Sequence, residues 1–307
     1  MTVEVGAMMA MGIAALLAGP ILARSRLQAA DGPGKLIVLG PVFEAAALAV
    51  FSAEHLTAAR DLAPIVPHWL PAPLFWVYFF GVCLLATAIS FVLWRSVRWS
   101  AALLALFFLL VVLTVSLPPL PRHLHDRLFW PAFVREIAFA SGAMILAGSL
   151  WPQSRPIGRA LVHTGRTLLA AILIFYAIEH FRFPSYTPGV PLERTFPAWV
   201  PAPALWTDLV GIALLLGGIG LFFRATTRLA AAGTGLVLLL LTVCLYVPIL
   251  VLEFRTAPGA VEGLNYVFDT MLFASTVLLA GFAANPGADE APAHDRLRAE
   301  PVTATTP

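Results

Sequence analysis

Runs of about twenty apolar residues follow one another along this chain, with short arginine- or proline-bearing joints between them. A run of that length crosses a bilayer as a helix. Lipid offers the backbone no hydrogen-bond partner, so every N–H and C=O must be satisfied inside the segment. Spans are expected near residues 5–23, 38–56, 74–94, 99–118, 131–150, 164–181, 204–223, 229–252 and 265–283. Composition closes off a soluble fold. Hydrophobic residues make up 60% of the 307 and charged residues 12%, against roughly 25% charged in a soluble domain. Mean hydropathy is +0.87. The expected class is an all-α integral membrane protein with about nine transmembrane helices.

The same arithmetic excludes several functions. Nineteen basic and seventeen acidic residues leave +2 with no basic block, so nucleic acid is not an expected partner. The two cysteines, Cys83 and Cys244, sit in separate apolar runs and form no CxxC, which removes dithiol redox chemistry and cysteine zinc sites. No GxxxxGK[ST] occurs, so ATP hydrolysis has no phosphate loop to use.

Orientation follows from the basic residues of the joints. One set of joints and the tail hold Arg24, Arg26, Lys35, Arg95, Arg98, Arg155, Arg159, Arg166, Arg224, Arg228, Arg296 and Arg298. The other set holds Arg60, Arg122, Arg127, Arg135, Arg182, Arg194 and Arg255. The richer set is expected in the cytoplasm, with the N-terminus outside and the C-terminus inside. A cleaved signal peptide wants basic residues before its apolar core. Here Glu4 precedes the core and Arg24 and Arg26 follow it, the polarity of an anchor helix that starts outside. The Ala/Pro/charge-rich segment 285–307 reads as a disordered cytoplasmic tail.

The chain also resembles itself. Pro67-His-Trp-Leu-Pro-Ala-Pro-Leu-Phe-Trp76 aligns with Pro197-Ala-Trp-Val-Pro-Ala-Pro-Ala-Leu-Trp206 at an offset of 130. The same offset pairs Gly81 with Gly211, Arg98 with Arg228 and Pro118 with Pro248. Upstream the offset is 125, pairing Glu54-His55 with Glu179-His180, so the second copy carries a loop five residues longer. Downstream an offset of 133 pairs Glu136 with Asp269 and Leu146-Ala-Gly148 with Leu279-Ala-Gly281. A duplication is expected. Each copy holds four spans, an even number, so both enter the membrane from the same side. The expected organisation is an N-terminal helix and linker (1–37), two tandem parallel four-helix bundles (38–155 and 156–284) and the tail.

This order of a helix ending in Glu-His, a P-x-W-φ-P-A-P-x-x-W loop, a glycine-bearing helix and an arginine turn resembles the DoxX/DoxD-like superfamily of four-span membrane proteins, in tandem, over roughly residues 38–283. The resemblance implies four-helix bundles and a connection to quinone, through association with thiosulfate:quinone or quinol oxidase complexes. The tandem arrangement and the extra first helix depart from the usual single unit. The expected location is a bacterial inner membrane.

Ionisable residues inside spans are costly and mark candidate sites. Glu44 lies about six residues into its span, about 9 Å from the inner end, and its counterpart at offset 125 is Leu169. It either belongs to a proton path with His55, about three turns further on, or is a protonated group bonded to a neighbouring helix. Glu54-His55 and Glu179-His180 end the first helix of each copy. Adjacent residues point about 100° apart, so each Glu faces a neighbour other than its own His. These pairs either cap helix ends or form a polar ligand site; a haem held by two histidines is the weaker idea. Trp69 and Trp199 sit among prolines, as interfacial anchors or as a lid over a quinone head group. Arg135-Glu136 and Asp269 add charge at the same end, and an Arg135–Glu carboxylate pair, partly desolvated, could lock the bundle. His123-x-His125 is a weak metal signal.

Three functions fit these residues. The first is a redox-associated subunit that binds a quinone or similar amphiphile at its extracytoplasmic end and needs a redox partner subunit, since nothing here carries electrons unaided. The second is a structural or assembly protein without a ligand. The third is a small-molecule or proton-coupled transporter using Glu44.

Overall fold

The computed structural model describes residues 2–152, 154–189 and 194–284; the expected tail at 285–307 lies outside them. Among the described residues the regular structure is helical, and nine helices are long and apolar enough to cross a membrane. They are α1 (Val3–Leu22), α2 (Gly32–Thr57), α3 (Pro73–Leu93), α4 (Val97–Ser116), α5 (Phe129–Ser149), α6 (Pro156–Arg182), α7 (Pro203–Phe222), α8 (Thr227–Glu253) and α9 (Ala257–Ala284). The protein is an integral membrane protein.

Helices α2, α6 and α9 begin six to eight residues before the spans read from hydropathy. Each has proline in its first two positions, at Pro33, Pro156 and Pro258. Proline fits there because the first helical N–H groups have no intrahelical partner anyway. Thr256 adds a cap to α9 by accepting the N–H of Gly259 at 3.2 Å. Hydropathy detects the segment in lipid, whereas caps set the end of the helix.

The helices are not equivalent. Of the most apolar window of each, 83% is buried in α9, 72% in α2 and 61% in α5, against 22% in α1. The first three form the centre, and the others turn broad faces outward. Helix α2 packs on α1 and α3 and runs along α9; α6 likewise joins α5 and α7. The first helix of each four-helix run therefore lies beside the last helix of the other. Helices α5 and α9, the two last helices, pack against each other in the middle. One continuous apolar core joins both runs.

Local geometry recurs at the offsets seen in sequence. Ala72 and Ala202 both adopt left-handed backbone, at φ 54° and 48°, immediately before Pro73 and Pro203. Trp76 and Trp206 each donate their indole N–H to a proline carbonyl, of Pro71 and Pro201, at 3.0 Å. Before Pro118 and Pro248 the helix widens by one residue, with the N–H of Leu117 reaching Val112 and that of Val247 reaching Thr242. A proline ring clashes with the carbonyl four residues back and cannot donate to it, and a widened turn relieves both problems.

The arginine-rich end, opposite the Pro/Trp loops, is anchored by cation–π contacts. Arg26 lies 3.8 Å over the ring of Trp94, and Arg98 sits within 5.3 Å of Trp99 and Trp151. At mid-depth, glycine sets the central contact. A Cβ at Gly142 of α5 would stand 3.1 Å from the Cα and carbonyl oxygen of Thr276 in α9, and backbone cannot step aside as a side chain can. Gly142→Ala should lower stability by about 1–3 kcal/mol. Gly233→Ala in α8, where a Cβ would meet nothing within 4 Å, should raise it by up to about 1 kcal/mol through helix propensity alone. Thermal unfolding in one detergent reads both; equal shifts would sink the close-packing account.

Candidate functional site

The last turn of α2 carries two polar side chains in different directions. His55 shares its Nδ1 proton with the carbonyl of Phe51 at 2.7 Å. Glu54 points elsewhere and accepts the amide of Asn265 in α9 at 2.9 Å. Gly81 lets α3 approach this turn, since a Cβ there would lie 2.9 Å from that of His55. In the second run, Gly211 and His180 meet in the same way, at 3.2 Å.

Opposite His55, the first turns of α5 supply Arg135 and Glu136. Arg135 pairs with Asp269 of α9, so a residue from each run meets across the central contact. Glu136 accepts a 2.5 Å hydrogen bond from the hydroxyl of Ser116. Ser116 belongs to the widened turn before Pro118, which connects a backbone irregularity directly to a polar group. Thr114 of the same turn closes its hydroxyl on the Leu110 carbonyl at 2.7 Å.

Two cavities meet at the Arg135–Asp269 pair. One, of about 310 Å3, runs into the first run between α2, α3, α4 and α5. Its walls are apolar, with Leu48, Leu84, Phe108 and Phe139 among them, and its polar rim is His55, Thr114, Arg135, Glu136 and Asp269. The other, of about 770 Å3, lies between the starts of α1, α5 and α9 and the end of α2. It is acidic, lined by Glu4, Glu54, Asp61 and Glu262 as well as Arg135 and Asp269. The ion pair therefore stands in the wall between a polar vestibule and an apolar chamber.

In the second run the space beside the histidine is closed. His180 is fully buried; its Nδ1 bonds the carbonyl of Tyr176 at 2.7 Å, and its Nε2 accepts the N–H of Gly189 at 3.2 Å. The hydroxyl of Tyr246 in α8 donates to the carbonyl of Pro188 at 3.0 Å. Loop residues 188–189 thus stand between the histidine and α8. That loop is pinned by Arg127 stacked 3.8 Å over Tyr186 and by Arg194 paired with Glu253. A separate apolar groove of about 520 Å3 lies between α7 and α8 under Trp199 and Trp206, and His180 is not in its wall.

Of the residues singled out in sequence, His55, Arg135, Glu136 and Asp269 come together at one chamber. Glu54 lies across the wall in the vestibule. Glu179 reaches Arg182 at 3.5 Å and stands in another pocket, beside Arg127. Trp69 is 66% exposed and lines none of these cavities. His123 contacts Asp126 at 3.4 Å in an exposed loop; the N–H of Leu128 holds the Asp126 carboxyl below its ordinary range. Among the described residues no group of three His, Cys, Asp or Glu is placed to hold a metal ion. Sequence reasoning missed Ser116 and Asn265. The first stands two residues before a proline already paired with Pro248, which was a usable signal.

Glu44 is sealed between α2 and α9, where it accepts the hydroxyl of Ser275. Its other oxygen has no hydrogen-bond partner among the described residues. Compared with known proteins, the chain matches no family model, no curated protein and no solved structure.

Two substitutions follow from these placements. Leu169 already occupies the position equivalent to Glu44, so Glu44→Leu should raise the unfolding midpoint, by about 1 kcal/mol of stability. A lower midpoint would show that the buried carboxyl supports the fold. Arg135→Ala or Asp269→Ala alone should cost about 2 kcal/mol, because each takes its ion-pair partner from a largely buried charge. The double variant should cost clearly less than the sum of the two in a thermal-unfolding cycle.

Proposed function

We propose that this protein holds a neutral amphiphile, of the quinone or quinol type, in the chamber of its first four-helix run. The head group sits beside His55 and Glu136, and the apolar body lies among Leu48, Leu84, Phe108 and Phe139. The observation that carries the reading is the pairing of an apolar chamber with a polar rim at one end only. At about 310 Å3 the chamber matches the small end of ligand pockets, roughly 300–1,000 Å3. That size suits a single-ring head group and the first part of a tail.

In this reading the two runs descend from one duplicated four-helix unit of the DoxX-like kind. The shared left-handed Ala-Pro caps, the widened turns and the His-Gly contacts support that descent. The arginine excess supports a cytoplasmic side at the ends of α1, α3, α5, α7 and α9, with the chamber facing the extracytoplasmic side of what this reading takes to be a bacterial inner membrane. With no CxxC in the sequence, this reading has the amphiphile exchange electrons with a partner subunit. Glu44 has no part in this reading, since neither chamber nor vestibule reaches it.

The test is a reduced-minus-oxidised ultraviolet spectrum of the protein purified in mild detergent, with organic extraction of whatever is bound. A quinone band should appear in the wild type. It should disappear in Val111→Trp, which fills the chamber, and persist in Val237→Trp, which faces the separate groove under Trp199. An extract without any amphiphile, from protein prepared in its own lipids, would favour the assembly role instead.

A further inference from the structure

The second run shows what the histidine of the first run lacks. Both rings are anchored alike, with Nδ1 2.7 Å from the carbonyl oxygen four residues back. A carbonyl only accepts, so Nδ1 carries the proton, and Nε2 of the neutral ring is left as an acceptor. At His180 that acceptor is satisfied from within by the N–H of Gly189. Gly189 has φ 150°, and a Cβ there would collide with the Tyr246 hydroxyl, so the backbone approaches this closely only as glycine. It arrives on the loop that is five residues longer than its counterpart in the first run.

The shorter loop of the first run takes another course, as helical turns Ala59–Leu62 and Ala63–Ile65. No N–H from it reaches His55, and among the described residues Nε2 of His55 has no hydrogen-bond partner; the ring lines the chamber. The hydroxyls of the wide turn beside it are already engaged. The Ser116 hydroxyl is spent on Glu136, that of Thr114 on Leu110, and Arg135 faces Asp269. The Glu136 carboxyl is a further acceptor.

We infer that the chamber selects the hydroxyl-bearing form of its ligand, a phenol or hydroquinone that donates to His55 Nε2 as the Gly189 N–H donates to His180. A quinone, which only accepts, leaves that nitrogen unmatched. A phosphate or carboxylate head group would meet the Glu136 carboxyl as well. This inference rests on the amphiphile reading above and adds the polarity of its hydrogen bond.

The test uses the full chain in lipid nanodiscs and three probes: decyl-benzohydroquinone kept anaerobic, the matching benzoquinone, and the hydroquinone dimethyl ether. Titration calorimetry should give the hydroquinone a Kd roughly tenfold below the other two, the usual scale for one buried acceptor left unmatched. His55→Phe should remove the preference by weakening the hydroquinone alone. His55→Gln, whose amide oxygen can accept, should restore part of it and serves if the Phe variant does not fold. Equal binding of all three probes to the wild type overturns the donor inference and leaves the amphiphile reading intact. Binding of none overturns both.

Discussion

The close packing of α5 against α9 is the contact on which the rest of this molecule depends. Each is the last helix of its four-helix run, and Gly142 allows their backbones to meet at Thr276. That approach carries Arg135 to Asp269 near the histidine end. With the pair in place, an acidic vestibule lies on one side of it and the apolar chamber of the first run on the other.

Much of this was legible in the sequence, for reasons that differ by feature. Spans follow from hydropathy because lipid enforces apolar length directly. The extra turns of α2, α6 and α9 were not visible that way, since their first residues need only a cap and an interface. Glu54 and His55 were expected to face different neighbours from their 100° separation, and they do: one reaches Asn265, the other the Phe51 carbonyl and the chamber. What spacing could not give was the contact between runs. Nothing in the sequence near Arg135 names Asp269, 134 positions away, as its partner. Nor did it show that α2 would lie along α9.

The tryptophans illustrate the limit of reading residue type alone. Trp76 and Trp206 are spent on proline carbonyls, which keeps each loop folded back on the start of the next helix. Trp69 stands out in the surroundings, and Trp199 covers a groove between α7 and α8. An aromatic among prolines at a bilayer edge satisfies its amphipathic ring whether or not a ligand lies beneath it. The same is true of the wide turns before Pro118 and Pro248. Both relieve a proline, but only the first presents a hydroxyl, at Ser116, to a carboxylate.

The two runs share their framework and differ in what fills it. His55 and His180 have equivalent anchors, and Gly81 and Gly211 admit equivalent neighbours. The five added residues of the second loop let its backbone descend to His180, where Gly189 satisfies the ring and Pro188 satisfies Tyr246. At Ser116, the position matching Tyr246, the first run has a side chain too short to reach across. In the second run a larger residue there and a longer loop close the space beside the histidine. The first run has neither. A histidine open to a chamber in one run and sealed in the other follows from loop length and one side-chain volume.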